Sequence, residues 1–308
     1  MKTANLYRFR TKRTPSVVMG IGKFDGFHIG HQKIADEILR VSDNLKCTPS
    51  IFTIRNYPAS ALLALWQERL DIFRKHGIEL CLCADFMEIQ KLSAEEFLNT
   101  LQTVCNIKGV VVGKEFRFGH HRKGDTDFLR MWADRKGIVV SLVNPVVVND
   151  NIVSSSVIKK LIHNSKFFEA RTMLGRWFSL KGKHISGRKI AASIGFPTIN
   201  LDLANKNSPL SEGIYAAFVK RRNKIFRSVI FYGSSQTFHT PVSFEIHILD
   251  MKVDTSDNEV FTVIPIQKIR EVEVFDNASA LVKQIEMDII KAKEIFHILK
   301  LDDLKEKV

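Results

Sequence analysis

"GIGKFDGFHIGH", residues 20–31, follows the apolar run Val17-Val18-Met19 and opens a stretch with helical spacing, "GHQKIADEILRVSDNL". An apolar run, a glycine-bearing turn and an amphipathic helix predict a strand–turn–helix unit, in which backbone N–H groups at the helix start face any anion bound there. The stretch is not the dinucleotide fingerprint, because Gly20-Ile21-Gly22 is followed by Asp25 where a glycine is needed, and it is not the GxxxxGK[ST] loop. Its information therefore lies in the histidines. His28 and His31 stand three apart around Gly30, so at the start of a helical turn they can face one side. Two imidazoles beside a phosphate can neutralise charge that develops on a phosphoryl group during in-line displacement, and Gly30 lets a nucleotide approach the backbone. The rival readings are a metal pair, for which no third ligand stands at characteristic spacing, and a purely structural role for both rings.

Outward from this stretch the first half alternates strand-like and helical runs. "PSVVMGIG", "TPSIFTI", "IELCLCADF", "GVVVG" and "IVVSLVNPVVV" read as strands. Between them "WQERLDIFRKHG" has helical spacing and stops at Gly77, "SAEEFLNTLQTVCN" opens with Ser93 and Glu96 at capping-box spacing, and "DTDFLRMWADRKG" is helical. This βαβαβ order predicts a parallel sheet with helices on both faces, a Rossmann-like α/β domain. The pattern changes near residue 180. After two short helices in "SSSVIKKLIHNSKFFEARTMLG" come "RWFSLKGKHIS", "GIYAAFVKRR", "KIFRSVIFYG", "SFEIHILDMKV" and "EVFTVIPIQKI", which predict a small antiparallel sheet or barrel, closed by a helix from about Ser279 to His297. The expected division is 1–180 and 181–308, without internal repeats.

The 308 residues are 45% hydrophobic, enough for a real core in two domains. The N-terminal "MKTANLYRFRTKRT" is basic without an apolar core of signal-peptide length, and no window of about 18 apolar residues occurs, which predicts a cytoplasmic protein with no membrane partner. Cys47, Cys81, Cys83 and Cys105 lack zinc-ligand spacing and read as reduced, mostly buried thiols. The net charge of +13 suits anionic partners, nucleotides or nucleic acid. The basic residues fall in short groups without an arginine-rich tail or an aromatic–basic RNA-binding pattern, so nucleic acid is the weaker choice. Oligomeric state is not legible.

"GKFDGFHIGH" resembles the HxGH signature of the nucleotidylyltransferase superfamily, in the form found in the prokaryotic bifunctional riboflavin kinase/FAD synthetase family. The resemblance continues in order through "LSAEEFL" (92–98), "VVVGKEFRFGHHRKGD" (110–125), "SSSVIKKLI" (154–162), "LGRWFSLKG" (174–182), "IGFPTINL" (194–201), "GIYA" (213–216), "FEIHILD" (244–250) and "IREVEVF" (269–275). It implies an FMN adenylyltransferase domain followed by a riboflavin kinase module, a six-stranded β-barrel with a C-terminal helix. The implied substrates are ATP with FMN or riboflavin, and the implied cofactor is Mg2+. By resemblance His28 and His31 contact the ATP phosphates, while Gly22, Lys23, Phe24, Asp25 and Gly30 shape the nucleotide site. Ser154, Ser155 and Ser156 match a phosphate-binding helix start, and Lys159 stands where the family usually has arginine, which keeps the charge and loses bidentate geometry. Phe116, Arg117, Phe118, Arg122 and Asp125 match the flavin-nucleotide pattern, with Tyr57 and Pro58 in the loop that replaces the family's Thr-Phe-x-Pro-x-Pro. In the kinase module Glu245 matches the general base, and Thr198 and Asn200 the magnesium and phosphate ligands.

The departures cluster in the second half. Ala191-Ala192 replaces a Gly-Arg pair, Ser235-Gln236 replaces Arg-Pro, and a Leu-Tyr-Gly is absent near Thr255-Ser256-Asp257. Lost arginines and glycines weaken nucleotide grip, so two alternatives stay open beside the bifunctional enzyme. One is an adenylyltransferase with a degenerate kinase module. The other is a nucleic-acid-binding or flavin-sensing regulator, which predicts a steep salt dependence of binding.

Overall fold

The computed structural model describes residues 1–9, 15–57, 61–187, 194–222, 224–235, 240–249, 256 and 258–299. It divides into two compact units, Met1–Ser60 with Ala64–Ser155, and Ala61–Leu63 with Ser156–Val308.

The first unit is built on strands β1 (Lys2–Asn5), β2 (Ser16–Ile21), β3 (Thr48–Ile54), β4 (Leu80–Ala84), β5 (Asn106–Gly113) and β6 (Val139–Val143), joined in the order β1-β4-β3-β2-β5-β6 with every pair parallel. Helices α1 (Ile29–Leu45) and α2 (Trp66–Lys75) follow β2 and β3, whereas α3 (Phe86–Ile89), α4 (Ala94–Val104) and α5 (Thr126–Asp134) follow β4 and β5. The pleat sorts the core into two halves. Val17, Met19 and Ile21 of β2 face Phe97, Leu101, Leu129 and Trp132 of α4 and α5. Val18, with Ile51, Cys81 and Val111, faces Ala35, Ile38 and Val41 of α1 and Leu70 and Phe73 of α2. A right-handed crossover puts its helix on one face when the next strand is added to the left and on the other when it is added to the right. The direction of addition reverses between β2 and β5, so the carboxyl ends of these two strands flank the crevice where doubly wound sheets bind ligands.

Local signals account for several elements. Ser93 accepts from the Glu96 amide at 3.2 Å while Glu96 accepts from the Ser93 amide at 2.8 Å, the expected capping box of α4. One strand expectation is corrected, and one strand is added. "IVVSLVNPVVV" is interrupted at Asn144-Pro145: β6 ends at Val143, and Val147–Val148 (β7) pairs instead with Asn151–Ile152 (β8), because proline cannot donate to a ladder. The strand β1 was not foreseen, since only four residues carry it at the sheet edge.

In the second unit, α6 (Ser155–His163) and α7 (Phe167–Leu174) precede β9 (Leu180–Ile185), β10 (Ile199–Leu203), β11 (Gly213–Arg221), β12 (Lys224–Ser235), β13 (Thr240–Ile248) and β14 (Val260–Arg270), which close into a barrel ordered β10-β13-β12-β11-β14-β9. Residue 180 begins β9, the first barrel strand, while the division into compact units falls at 155/156, ahead of the helix pair. The last helix, α8 (Ala278–Ile298), packs on β11, β12 and β14, where buried Asp288 accepts from Arg270 at 2.8 and 3.0 Å. Among the described residues no helix is long and apolar enough to cross a membrane.

Candidate active sites

The loop between β2 and α1 is held by its own aromatic residues. Phe24 and Phe27 adopt positive φ, 49° and 44°, a conformation that costs an L side chain roughly 1–2 kcal/mol each. Both rings are fully buried against Phe73, which contributes roughly 2 kcal/mol each and carries the strain. Phe24 thus supports the site from below: its ring meets that of His31 edge-on at 5.1 Å, and a side chain at Gly22 would press on it at 3.3 Å.

His28 is the N-cap of α1, and its ring stacks on His31 with centroids 3.6 Å apart and planes 21° from parallel. Its carbonyl accepts from His31 and Gln32, so the earlier amides of the helix point outward with no acidic side chain in the first turn. His28 is only 6% exposed, and a Cβ at Gly30 would come within 3.2 Å of its ring. Burial first, then the neighbouring His28 and Arg69, hold the His31 pKa well below the ordinary 6.5, so this imidazole is neutral at physiological pH. The Nδ1 of His31 is buried without a hydrogen-bond partner. Asp25 is buried, and its carbonyl accepts from the Oγ of Ser155, the last residue of the first unit, at 2.9 Å. Ser154 immediately precedes α6; Ser156 and Lys159 lie on it.

Lys23 places its ammonium 3.3 Å over the Tyr57 ring, and Tyr57 in turn meets Phe86 edge-on at 4.9 Å. Pro58 lies outside the described residues. Arg69 of α2 was not singled out from the sequence. Its guanidinium donates to the carbonyls of Lys23 and Ile54, the latter at 3.0 Å, and to Thr53 Oγ1. A charged residue on a helix read only from its spacing gives no sequence signal of this role.

The second loop follows β5, next to β2. Phe118 and Gly124 exchange backbone hydrogen bonds at 3.0 and 2.9 Å, closing "FGHHRKG" into a small hairpin. Gly119 and Gly124 are required by contact: a Cβ on either would meet Ala94 within 2.8 Å. Phe116 stacks on Phe118 at 5.1 Å, but Phe118 is 7% exposed and belongs to the core with Phe97. Asp125 caps α5 through the Phe128 amide at 2.9 Å and pairs with Arg117 at 3.0 Å; the amide bond, then Arg117, keep its carboxyl below the usual range. Arg122 is exposed.

In the barrel, Thr198 Oγ1 donates to Glu245 Oε2 at 2.9 Å and Ser243 Oγ to Oε1 at 3.2 Å, while Asn200 on β10 lies directly across from Glu245 on β13. Thr198, Asn200 and Glu245 are thus brought together. Ser243 was missed, although its place two residues before Glu245 on a strand puts both on one face. Ala191-Ala192, Gln236 and Thr255 with Asp257 lie outside the described residues.

A stacked histidine pair at a sheet's switch point, joined in sequence to a barrel that presents an oriented carboxylate, defines a two-module transferase of activated phosphate compounds. The sequence matches FAD synthetase over residues 10–157 and riboflavin kinase over residues 174–296. The bifunctional riboflavin kinase/FMN adenylyltransferase of Buchnera aphidicola from Schizaphis graminum is 30% identical over 296 residues, 91% of this chain and 94% of its own. Those of Pseudomonas fluorescens (30%, covering 90% and 92%) and Escherichia coli K12 (26%, covering 92% and 94%) are similar along their length. A crystal structure described as a macrolide-efflux protein from Streptococcus pneumoniae shares the fold with a TM-score of 0.81 and 25% identity, covering 94% of this chain and 98% of that one. The chain belongs to the bifunctional riboflavin kinase/FMN adenylyltransferase family.

Proposed function

We propose that the chain makes FAD in two ATP-dependent steps, one in each module. In the first module the FMN phosphate attacks the α-phosphorus of ATP and pyrophosphate leaves. No covalent enzyme intermediate is needed, so the protein's part is positioning and charge stabilisation. The observation that carries this reading is the His28–His31 stack at the N-terminus of α1, beside the carboxyl ends of β2 and β5. Neutral His31 has one N–H to donate to phosphate oxygen, and the helix amides add fixed partial positive charge. Ser154, Ser155, Ser156 and Lys159 are assigned to the leaving pyrophosphate. Lys23 is assigned to the ATP nucleotide and Tyr57, on whose ring its ammonium rests, to the flavin nucleotide, with Phe116, Arg117 and Arg122 across the switch point.

In the barrel Glu245 takes the proton from the riboflavin 5′-hydroxyl as its oxygen attacks the γ-phosphorus of ATP; the bond from that phosphorus to the β,γ-bridging oxygen breaks and ADP leaves. Thr198 and Ser243 each hold one carboxylate oxygen, which fixes the plane of the base. Magnesium fits this set. Thr198, Asn200 and Glu245 offer hard oxygen donors, and among the described residues no group of three or more His, Cys, Asp or Glu is arranged to hold a metal alone. This matches a cation that is held by one or two protein oxygens together with the phosphates of ATP. When bound it would neutralise phosphate charge, with Thr198 and Asn200 as its protein ligands. The proposed compartment is the cytoplasm, which supplies ATP and keeps the buried thiols of Cys81, Cys83 and Cys105 reduced.

The test is an end-point assay with ATP and magnesium, offering riboflavin in one tube and FMN in another, with flavins separated by chromatography. FAD is expected from both. FAD from FMN alone would mark the barrel as a degenerate module, and none from either would overturn the catalytic reading and return the chain to the binding alternatives.

A further inference from the structure

Arg69 is 5% exposed, and its hydrogen bonds go to neutral oxygens: two carbonyls and a threonine hydroxyl. Its Nε is buried with no hydrogen-bond partner, and among the described residues no carboxylate is in ion-pair contact with it. Burial pushes its pKa down and Asp25 acts in the opposite direction, but a guanidinium does not lose its proton in a protein, so the charge is permanent. A buried charge without an ion pair is costly, and an apolar side chain beside the Leu70–Phe73 cluster would avoid the cost. The three acceptors belong to two adjoining segments, Lys23 in the loop after β2 and Thr53 and Ile54 at the end of β3. The carbonyl of Lys23 also accepts from Thr53 Oγ1 at 2.8 Å, so one fork ties the histidine loop to the neighbouring strand.

We propose that Arg69 is a positioning residue for adenylyl transfer: it clamps the Lys23 segment of the phosphate-facing loop against β3 and supplies buried positive charge behind the His28–His31 pair. The inference rests on the adenylyl-transfer reading above. It accounts for why a permanent cation is kept where folding alone would favour an apolar residue: beyond the influence of Asp25, further negative charge arrives with the nucleotide. It also agrees with the depressed pKa of His31, to which Arg69 contributes.

The test uses the full chain with Arg69→Met and Arg69→Lys, measuring FAD formation from FMN at varied ATP and, in the same preparations, riboflavin phosphorylation. The expected result for Arg69→Met is a loss of about tenfold or more in kcat/KM for ATP, with KM raised, while KM for FMN and the kinase rate stay within about twofold. Arg69→Lys keeps the charge without the fork and recovers part of that loss. A merely structural role would instead lower the amount of active enzyme, reducing kcat at unchanged KM and recovering on cooling. That pattern, or Arg69→Met within about twofold of the parent, overturns the proposal. If Arg69→Met does not fold, Arg69→Lys decides: a raised KM for ATP at an unchanged melting temperature supports the clamp, and parent kinetics overturn it. If the parent chain makes no FAD from FMN, the adenylyl-transfer reading falls and the inference with it; if the parent does and the variants do equally, the inference falls alone.

Discussion

Gly30→Ala separates stability from catalysis in the first module. Gly30 is the second residue of α1, and alanine is the better helix former by up to about 1 kcal/mol in a helix interior, less at an end. Folding alone therefore predicts a melting temperature equal to or above the parent's. The added Cβ, however, would sit 3.2 Å from Cε1 and Nδ1 of His28. Ordinary contact needs a few tenths of an ångström more, and the ring cannot yield toward its neighbour, because it already stacks on His31 at 3.6 Å. The imidazole must tilt or shift. Since misplacement by about 1 Å can cost about a hundredfold, a shift of roughly 0.3 Å with some tilt should lower kcat about tenfold, or about 1.4 kcal/mol in the barrier. The assay is kcat for FAD formation from FMN, normalised to riboflavin phosphorylation by the same preparation, with a thermal melt alongside. A Gly30→Ala enzyme that keeps kcat within about twofold of the parent would refute the claim that His28 geometry limits the reaction. A large drop in melting temperature would refute the premise that the clash is confined to the ring.

Glu245→Gln is expected to lower riboflavin phosphorylation by about a hundredfold or more while FAD formation from FMN is unchanged, since the amide keeps both hydroxyl contacts but cannot accept the proton; equal loss of both activities would contradict the assignment. His31 makes stability depend on pH. Its pKa is depressed in the folded state, so the unfolded chain binds more protons below about pH 6.5, and stability present above that value is lost as the pH falls toward the folded pKa. Denaturant titrations between pH 5 and 8 should show a smaller acid-side slope in His31→Asn than in the parent, and identical slopes would speak against the depressed titration of this ring.

Elements with strong periodicity were legible. The alternation of apolar runs and amphipathic helices yields the parallel sheet, and Ser93 and Glu96 mark the start of α4 because a capping box is a local arrangement. The elements that were missed depend on partners far away in sequence. Strand β1 has four residues and gains its identity from pairing with β4, and β10 became a strand through the ladders it makes with β9 and β13. His28 and His31 could be placed on one side from spacing alone, but the aromatic residues that pack beneath them, Phe24, Phe27 and Phe73, come from a loop and a helix distant in sequence. Phe118 illustrates the converse. Its motif reads as an aromatic face for a ligand, whereas the structure uses the ring as core and leaves Arg117 and Arg122 at the surface of the same loop.

The two modules keep their chemistry in different kinds of structure, and this bears on the departures in the second half. Glu245, Ser243 and Asn200 stand on adjoining barrel strands, and the register that sets Asn200 across from Glu245 is shared by the whole ladder. A slip of one residue would turn every side chain of a strand to the opposite face, so this constellation persists as long as the barrel folds. Ala191-Ala192 and Ser235-Gln236 lie in the sequence between strands or at a strand end, where arginine and glycine would serve to grip phosphate and close a loop. In the reading proposed above, their loss is expected to weaken binding of ATP and flavin, while Glu245 with its contacts to Thr198 and Ser243, and Asn200 across from it, are kept. The expected outcome is a raised KM for ATP and riboflavin with kcat kept, measured as riboflavin phosphorylation at varied substrate; a kcat lost at saturating substrate would instead mark a module whose barrel has lost the reaction.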